Sequence, residues 1–511
     1  AGDAAAAVYV LERFEALGSG TVAEQEFEAD IDGNDVALRN VVLTLPGASE
    51  RTLVVVAGRD SRSGPGFTSS AAATGVLLEL AQQLGVADRE RTLTLASTDG
   101  ASAGAEGARE LLDALPDPGL VEAVIVVAQP SAAEPEPPHL VLSASGERNP
   151  SVELVRIAEQ QLEERAQLAA GLESPFGQLA RLALPGAAGE QAALGGEGFE
   201  ALAFSSAGEV PLPPERDDSE ALNPSLLSDY GSAILATLGA LDAVPAQLAT
   251  GPDTYLRFSG NIVPGWAVAM IALALLLPPA AVAVAELGRA ARHGEGPGRA
   301  IRWAVGWLAP VATGLLSVYA LGFAGLIPTP PLPYDPGRFA VGPAELLALA
   351  AILAAVGAVW WALGLRRVPI APERATLGAA CAAVAVVGGA LLWLANPFLV
   401  LLLVPTTHVV AVFGLGAGTA RGAVVPAALL ALIPFAAALA HVAGQLEWGT
   451  SLPWQLVLLT SGGGAGPLET AAALAVLAAL AALVWTTLVP ERRRGTDRVV
   501  HGGGAAVDTP A

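Results

Sequence analysis

The sequence has no lysine, one methionine, one cysteine and five histidines among 511 residues. The lone Cys381 sits inside an apolar run, which excludes disulfides within the chain and zinc sites built on thiolates. The missing lysine, with abundant Ala, Gly and Arg, reads as the base composition of a GC-rich bacterium and says little about mechanism. Histidine is the more telling shortage. His139 is the only one before residue 258, so chemistry there that needs an imidazole has one candidate.

Clustered cations are scarce in the same region. Up to Arg257 there are 39 acidic residues against 14 arginines, and after it 10 against 13. Such an acidic half excludes nucleic acid as a partner, because phosphate binding needs grouped Lys and Arg. It fits a solvated domain, and a salt-adapted surface would have the same composition.

Beyond Phe258 long apolar runs take over. Seven stretches, roughly 262–287, 301–327, 342–364, 375–395, 397–416, 422–443 and 467–489, each reach about the 20 residues that cross a bilayer. Pro278, Pro279, Pro405, Pro426 and Pro434 fall within them and are tolerable where neighbouring helices satisfy the freed backbone. Arg289, Arg292, Arg299 and Arg302 flank the first loop, Arg366, Arg367 and Arg374 the third, and Arg421 the fifth. Arg492, Arg493, Arg494 and Arg498 follow the last stretch, whereas the even loops hold only Arg338. The positive-inside rule then places the C-terminus in the cytoplasm and the N-terminal domain outside the plasma membrane. An exported domain implies an upstream signal peptide or signal anchor. Leu452–Thr460 is too short to span and is expected in the membrane interface, with Trp448 and Trp454.

Ionisable groups at membrane depth are functional candidates, here His408, His441 and Glu469. The plain alternative is neutral histidines bonded across helices and a glutamate reaching the headgroups. No inverted repeat or acidic relay supports transport.

The first half alternates short apolar runs with helical patterns. Strands are expected at Val41–Leu45, Thr52–Ala57, Thr92–Ser97, Ala123–Ala128, His139–Ser143 and Ala201–Phe204. Helices are expected at Ala4–Leu17, Ala71–Leu84, Ala105–Ala114, Pro150–Ala170 and Pro224–Leu241. This is an α/β pattern, a mostly parallel sheet with helices on both faces, followed by an all-α transmembrane bundle. Residues 171–198, rich in Gly, Ala and Pro, read as a surface loop. The division is an external domain 1–250, a linker 251–261, a seven-helix domain 262–490 and a disordered cytoplasmic tail 491–511. Ligands in such sheets bind beyond the strands' carboxyl ends, after Ala57, Ser97 and Ala128.

Those loops read "AGRDS" (Ala57–Ser61), "PGFTSSAAATG" (Pro65–Gly75) and "TDGASAGAEG" (Thr98–Gly107). In this pattern the first 245 residues resemble the zinc-dependent exopeptidases of the bacterial leucine aminopeptidase and glutamate carboxypeptidase type. Ala57, Asp60, Ser61, Pro65, Gly66, Gly75, Asp99, Gly100, Gly104 and Gly107 match that family's framework, with about two extra residues before Gly75. The ligands do not match. The family's first-loop His corresponds to Gly58, and its paired Glu residues to Ala101 and Ser102. The bridging Asp belongs in Phe67–Thr74, which has no Asp, Glu or His, and another ligand belongs near Ala128. The closing His belongs in "PLPPERDDSEALNP", which has none. The resemblance leaves Asp60 and Asp99 as supports behind a lost site.

Zinc needs His, carboxylate or thiolate at about 2.0–2.3 Å, so no metal or other cofactor is expected. A serine nucleophile such as Ser102 would need a base, and His139 is the single candidate. Arg59 either points into the vacated pocket to hold an anion or pairs with a surface carboxylate. The architecture also resembles multi-span members such as the GPI-transamidase attachment subunit. The resulting expectation is a non-catalytic, peptidase-like, multi-pass membrane protein. Its partners would be the lipid bilayer and another membrane or secreted protein, a peptide or a lipid-linked ligand. The alternatives are a membrane-anchored metallo-aminopeptidase or carboxypeptidase with an atypical site, including chemistry near His441, Glu447 and Glu469, and a transporter-like bundle.

Overall fold

A computed structural model describes residues 2–31, 34–61, 66–184, 186–248, 251–258, 260–368, 374–415 and 421–489. Pro65 and the 491–511 tail with its arginines lie outside the described residues. The sheet strands are β1 (Thr21–Ile31), β2 (Asn34–Leu45), β3 (Ser49–Gly58), β4 (Arg91–Thr98), β5 (Val121–Gln129), β6 (Leu140–Val141) and β7 (Ala201–Ser205). Their order is β1-β2-β4-β3-β5-β7-β6. The four central strands β4, β3, β5 and β7 are parallel, and both edges are antiparallel.

The helices between them are α1 (Gly2–Ala16), α2 (Ser70–Leu84), α3 (Glu106–Asp113), α4 (Val152–Ala166), α5 (Pro175–Ala183), α6 (Glu190–Gly196) and α7 (Pro224–Asp242). Alternation along β3 explains the layering. Leu53, Val55 and Ala57 pack with α1, α2, α4 and α7, while Val54 and Val56 pack with α3 and α6. The expected strands and helices are all present. Strand β1 was not among them: Glu24, Glu26, Glu28 and Asp30 fill one face, and on the other only Ala29 is fully buried. It is held by pairing with β2 along eleven residues, a charged edge that discourages further strand addition.

Two expectations are corrected. The 251–261 linker contains a hairpin, β8 (Tyr255–Phe258) with β9 (Asn261–Pro264). Tyr255 is buried with its hydroxyl donating to the Pro150 carbonyl (2.8 Å), and Arg257 holds Glu159 with two bonds of 2.9 and 2.8 Å. The 171–198 stretch carries α5, which buries Gly177, Ala180, Leu182 and Ala183, and α6, buried along 190–195. These helices are only nine and seven residues long, so their spacing is hard to see among the Gly, Ala and Pro around them.

The remaining helices are α8 (Gly265–Arg292), α9 (Pro297–Gly306), α10 (Leu308–Phe323), α11 (Pro343–Ala362), α12 (Arg374–Ala395), α13 (Pro397–Leu415), α14 (Val424–Gln445), α15 (Leu452–Ser461) and α16 (Pro467–Leu488). Seven segments among them are long and apolar enough to cross a membrane, with α9 and α10 together forming the second. Helix α15 is not one of them. Its Trp454 is 1% exposed and Trp448 is 3% exposed, so these rings are packed inside the protein rather than set in the membrane interface.

The two halves are joined by more than the chain. Helix α5 lies against α13 and α14, where Ala180, Leu182 and Ala183 share one apolar cluster with Phe398, Val442 and Leu446. Asn396, fully buried between α12 and α13, donates to the carbonyls of Leu182 (3.1 Å) and Ala183 (3.3 Å) at the end of α5. Those carbonyls are among the last four of a helix, which need outside donors. Asn396→Ala removes these donors and the acceptor for the Leu399 N–H (2.8 Å). The expected outcome is a loss of about 2–3 kcal/mol, read as a lower melting temperature of the detergent-purified full chain.

Candidate functional site

The carboxyl ends of β3, β4 and β5 open into a cavity of about 130 Å³. Gly58, Asp60, Ala101, Ser102 and Ala128 all line it, as their motif positions require. Arg59 and Asp99 do not. The Arg59 side chain turns to the other side of the sheet end and is 1% exposed. It meets Asp3 of α1 (2.9 Å) and Asp99 (2.9 Å), and it donates to the Ser97 carbonyl (3.0 Å). It therefore neither holds an anion in the pocket nor pairs at the surface; it clamps α1 to the end of β4. Burial lifts the Asp99 carboxyl to about 6 against the pull of Arg59.

Asp60 accepts from the Ala101 N–H (2.7 Å), the Ser102 N–H (2.9 Å) and the Ser102 hydroxyl (2.5 Å). These bonds hold the turn Ala101–Ala103, bracketed by Gly100 (φ 71) and Gly104 (φ 106) in the left-handed region. That geometry explains why the framework glycines persist where the ligands do not. Ser102 thus spends its proton on Asp60. His139 is elsewhere, buried, with Nδ1 3.0 Å from the Tyr230 hydroxyl, which itself donates to the Ser205 carbonyl (2.9 Å). The histidine is then the donor at Nδ1, and burial lowers its pKa. Ser102 has no base.

Four acids that motif reading did not single out, Glu190, Glu209, Asp217 and Asp335, also line the pocket, and two of them shape its floor and rim. Glu190, the first residue of α6, is 5% exposed and enters the space beside Gly58. Its Oε1 accepts from the Thr98 hydroxyl at 2.6 Å, and it also takes the Gly58 N–H. Burial raises its pKa to about 7, with Asp60 adding to the rise. Asp217 accepts from the Thr68 N–H (2.7 Å), the Thr68 hydroxyl (2.7 Å) and the Ser69 hydroxyl (2.5 Å), tying down the loop that precedes α2. Glu190 lies in the segment taken for a surface loop, so no spacing rule pointed to it. Its only sequence signal is an acid at a helix start after Gly189.

A dinuclear zinc centre does not fit these residues. Gly58, Ala101 and Ala128 offer no ligand atom. A Cβ on Gly58 would sit 2.5 Å from the Ala101 Cβ and 3.2 Å from Glu190 Oε2, so the first ligand position is already filled. Among the described residues no three His, Cys, Asp or Glu are grouped to hold a metal ion.

The three polar candidates of the helical half are separated. His408 bonds through Nδ1 to the Val404 carbonyl of its own helix (3.0 Å). His441 and Glu469 lie at the contact between the halves. His441 Nε2 is 3.4 Å from Glu173, which also binds Arg181 of α5 (3.0 Å). Glu469 accepts from Asn396 Nδ2 (3.0 Å), so it is committed to the protein and does not reach headgroups. Across this contact, burial and the nearby Glu469 raise Glu147 to about 8.

The roof of the cavity comes from the helical half. Residues Pro333–Pro336, between α10 and α11, cover it. Arg109 of α3 donates to the Leu332 carbonyl, and Tyr334 donates to Gln455 of α15 (3.0 Å).

Residues 40–174 match Peptidase family M28. Among solved structures, the chain is similar to a zinc aminopeptidase from Bacillus subtilis at 16% identity, over 43% of this chain and 54% of that one, with a TM-score of 0.34. It thus spans about half the length of that enzyme. It is also similar to a glutaminyl cyclase from Porphyromonas gingivalis (18% identity, 47% and 90% covered, TM-score 0.33). A leucine aminopeptidase precursor from Bacteroides thetaiotaomicron is similar at 14% identity (46% and 88% covered, TM-score 0.34). No curated protein sequence matches. The 40–174 segment is zinc-exopeptidase-like.

The raised acid in the pocket has a stability signature. Glu190 goes from 4.5 to about 7 on folding. The folded state therefore holds the proton more tightly, and the associated stability is fully present below pH 4.5 and lost as pH rises through 7. Glu190→Gln removes this loss. Its unfolding free energy should match the parent near pH 4 and exceed it by up to about 3 kcal/mol at pH 8, measured by denaturant titration.

Proposed function

We propose that this chain, a zinc-exopeptidase-like segment ahead of seven candidate membrane-spanning helices, is a non-catalytic membrane protein that binds a ligand in its remodelled pocket. One observation carries the reading: Glu190 occupies the position vacated at Gly58, while Asp60 and Asp217 are taken up by fixed backbone and hydroxyl donors. A hydrolytic site needs an activated water or a nucleophile with a base. Neither can be assembled from Asp60, Ser102 and Glu190 as they are bonded. The covering loop from the helical half gives the pocket a second, membrane-borne wall, which suits a binding or scaffold role. The arginine asymmetry of the loops supports a plasma-membrane protein with the peptidase-like domain outside and the C-terminus in the cytoplasm.

The full chain, purified in detergent with zinc supplied, should carry no stoichiometric zinc and release no amino acid from aminoacyl p-nitroanilides. One or two zinc ions per chain together with steady turnover would sink the reading. The orientation is tested with Val86→Cys, at a site 90% exposed, against a background of one buried cysteine. An impermeant maleimide should label it in intact cells; labelling only after lysis reverses the topology.

A further inference from the structure

A groove of about 700 Å³ runs from the cavity toward the bundle and shares Gly104, Tyr334 and Asp335 with it. One wall is peptidase-like, from Asp30–Ile31 and Ala103–Glu106, and the other is the stretch from Gly322 to Pro331. That second wall begins at the last turn of α10, the end of a candidate membrane span. Beside the mouth, Phe323 is 98% exposed and Leu326 is 71% exposed. Apolar side chains so exposed at a span end are covered by lipid when the helix crosses a bilayer. The groove therefore meets the membrane surface at one end and the pocket at the other. Across the top, the 328–338 loop is pinned by Arg109, by Gln455 and by Ser461, whose hydroxyl donates to the Pro328 carbonyl (2.8 Å).

The charge of the cavity selects what can arrive. Asp60, Glu190, Glu209, Asp217 and Asp335 line it, and among the described residues no Arg or His does. Glu209 is balanced from behind by Arg181. The nearest groove cation, Arg338, reaches toward the Ser102 carbonyl at 3.5 Å and lies outside the cavity lining. A phosphodiester head group would meet acceptors there, whereas an ammonium would find partners.

We infer that the pocket is loaded from the bilayer, along this groove, by a single-chain amphiphile with an amine-bearing, cationic head group. The inference rests on the binding reading above and specifies its ligand class. The chain lies along the Gly322–Pro331 wall and the head enters between Asp335 and Asp60.

The test uses the full chain in phosphatidylcholine nanodiscs and a dodecylamine carrying a photoreactive group on its alkyl chain. Label should map to the peptides containing 101–106 and 322–338. Excess dodecylamine should suppress it about tenfold or more, while dodecanoate and propylamine at equal concentration should not. Ala103→Trp obstructs the groove without touching the cavity lining and should cut specific label about tenfold, with Ala103→Ser unchanged. If Ala103→Trp does not fold, Thr329→Trp blocks the same groove from the bundle side. Equal competition by propylamine overturns the membrane route, equal competition by dodecanoate overturns the charge selection, and label scattered over the outer helix faces overturns both. Zinc content of the same sample separates the two readings. A zinc-loaded chain that still takes the amine overturns only the non-catalytic reading; a zinc-free chain that does not take it overturns only this one.

Discussion

The contact between α5, the first turns of α13 and the last turns of α14 is the constraint from which the rest follows. It combines an apolar cluster with polar groups that have few other places to go. Asn396 supplies the carbonyls at the end of α5. Arg181, on the same helix, is largely enclosed between Glu173 and Glu209, with a third bond to the Gly186 carbonyl (2.7 Å). A buried guanidinium so surrounded is costly to disturb, because removing a partner leaves an uncompensated charge. Because α5 is fixed, so is the segment leading to α6, and with it Glu190. The same docking brings the 328–338 loop over the strand ends. Pocket and bundle are thus one construction, although the sequence reads as two domains joined by a short linker.

Inside that construction the pocket has exchanged one kind of order for another. A zinc centre holds its loops by coordination; here hydrogen bonds to carboxylates hold them. Asp60 fixes the turn after β4, Asp217 fixes the loop before α2, and Glu190 fills the gap beside Gly58. The backbone shape demanded by the framework glycines survives because these acids stabilise it without a metal. What they leave is a space lined by carboxylates.

Much of this was legible in the sequence. The parallel core could be read because β3 and β5 are nearly continuous apolar runs, and the seven spans because apolar length is a strong signal. Gly58 and Asp60 of the first-loop motif and Ala101 and Ser102 of the Thr98–Gly107 motif line one cavity. The rest depended on partners distant in the chain. Arg59 is adjacent to the pocket in sequence, yet strand alternation and the attraction of Asp3 and Asp99 turn it away. Strand β1 alternates Phe27, Ala29 and Ile31 with Glu26, Glu28 and Asp30, but its apolar side chains are few and mostly half-buried, so the signal is weak. Helices α5 and α6 were hidden because alanine and glycine, which suit close packing against another helix, have the composition of a loop. Trp448 and Trp454 follow the usual preference for a membrane interface, but here α15 and its neighbours supply protein to bury them.

The docking of α5 also bears on how the chain is made. Leu182 and Ala183 are synthesised more than two hundred residues before Asn396, their hydrogen-bond donor. The peptidase-like domain therefore emerges with an open apolar face and two unpaired carbonyls, and keeps them until the fifth span has been inserted. Its assembly is completed from the membrane outward, and late. A ribosome pause or an insertion defect in the last three candidate spans would consequently register as a misfolded peptidase-like domain, far from the site of the fault.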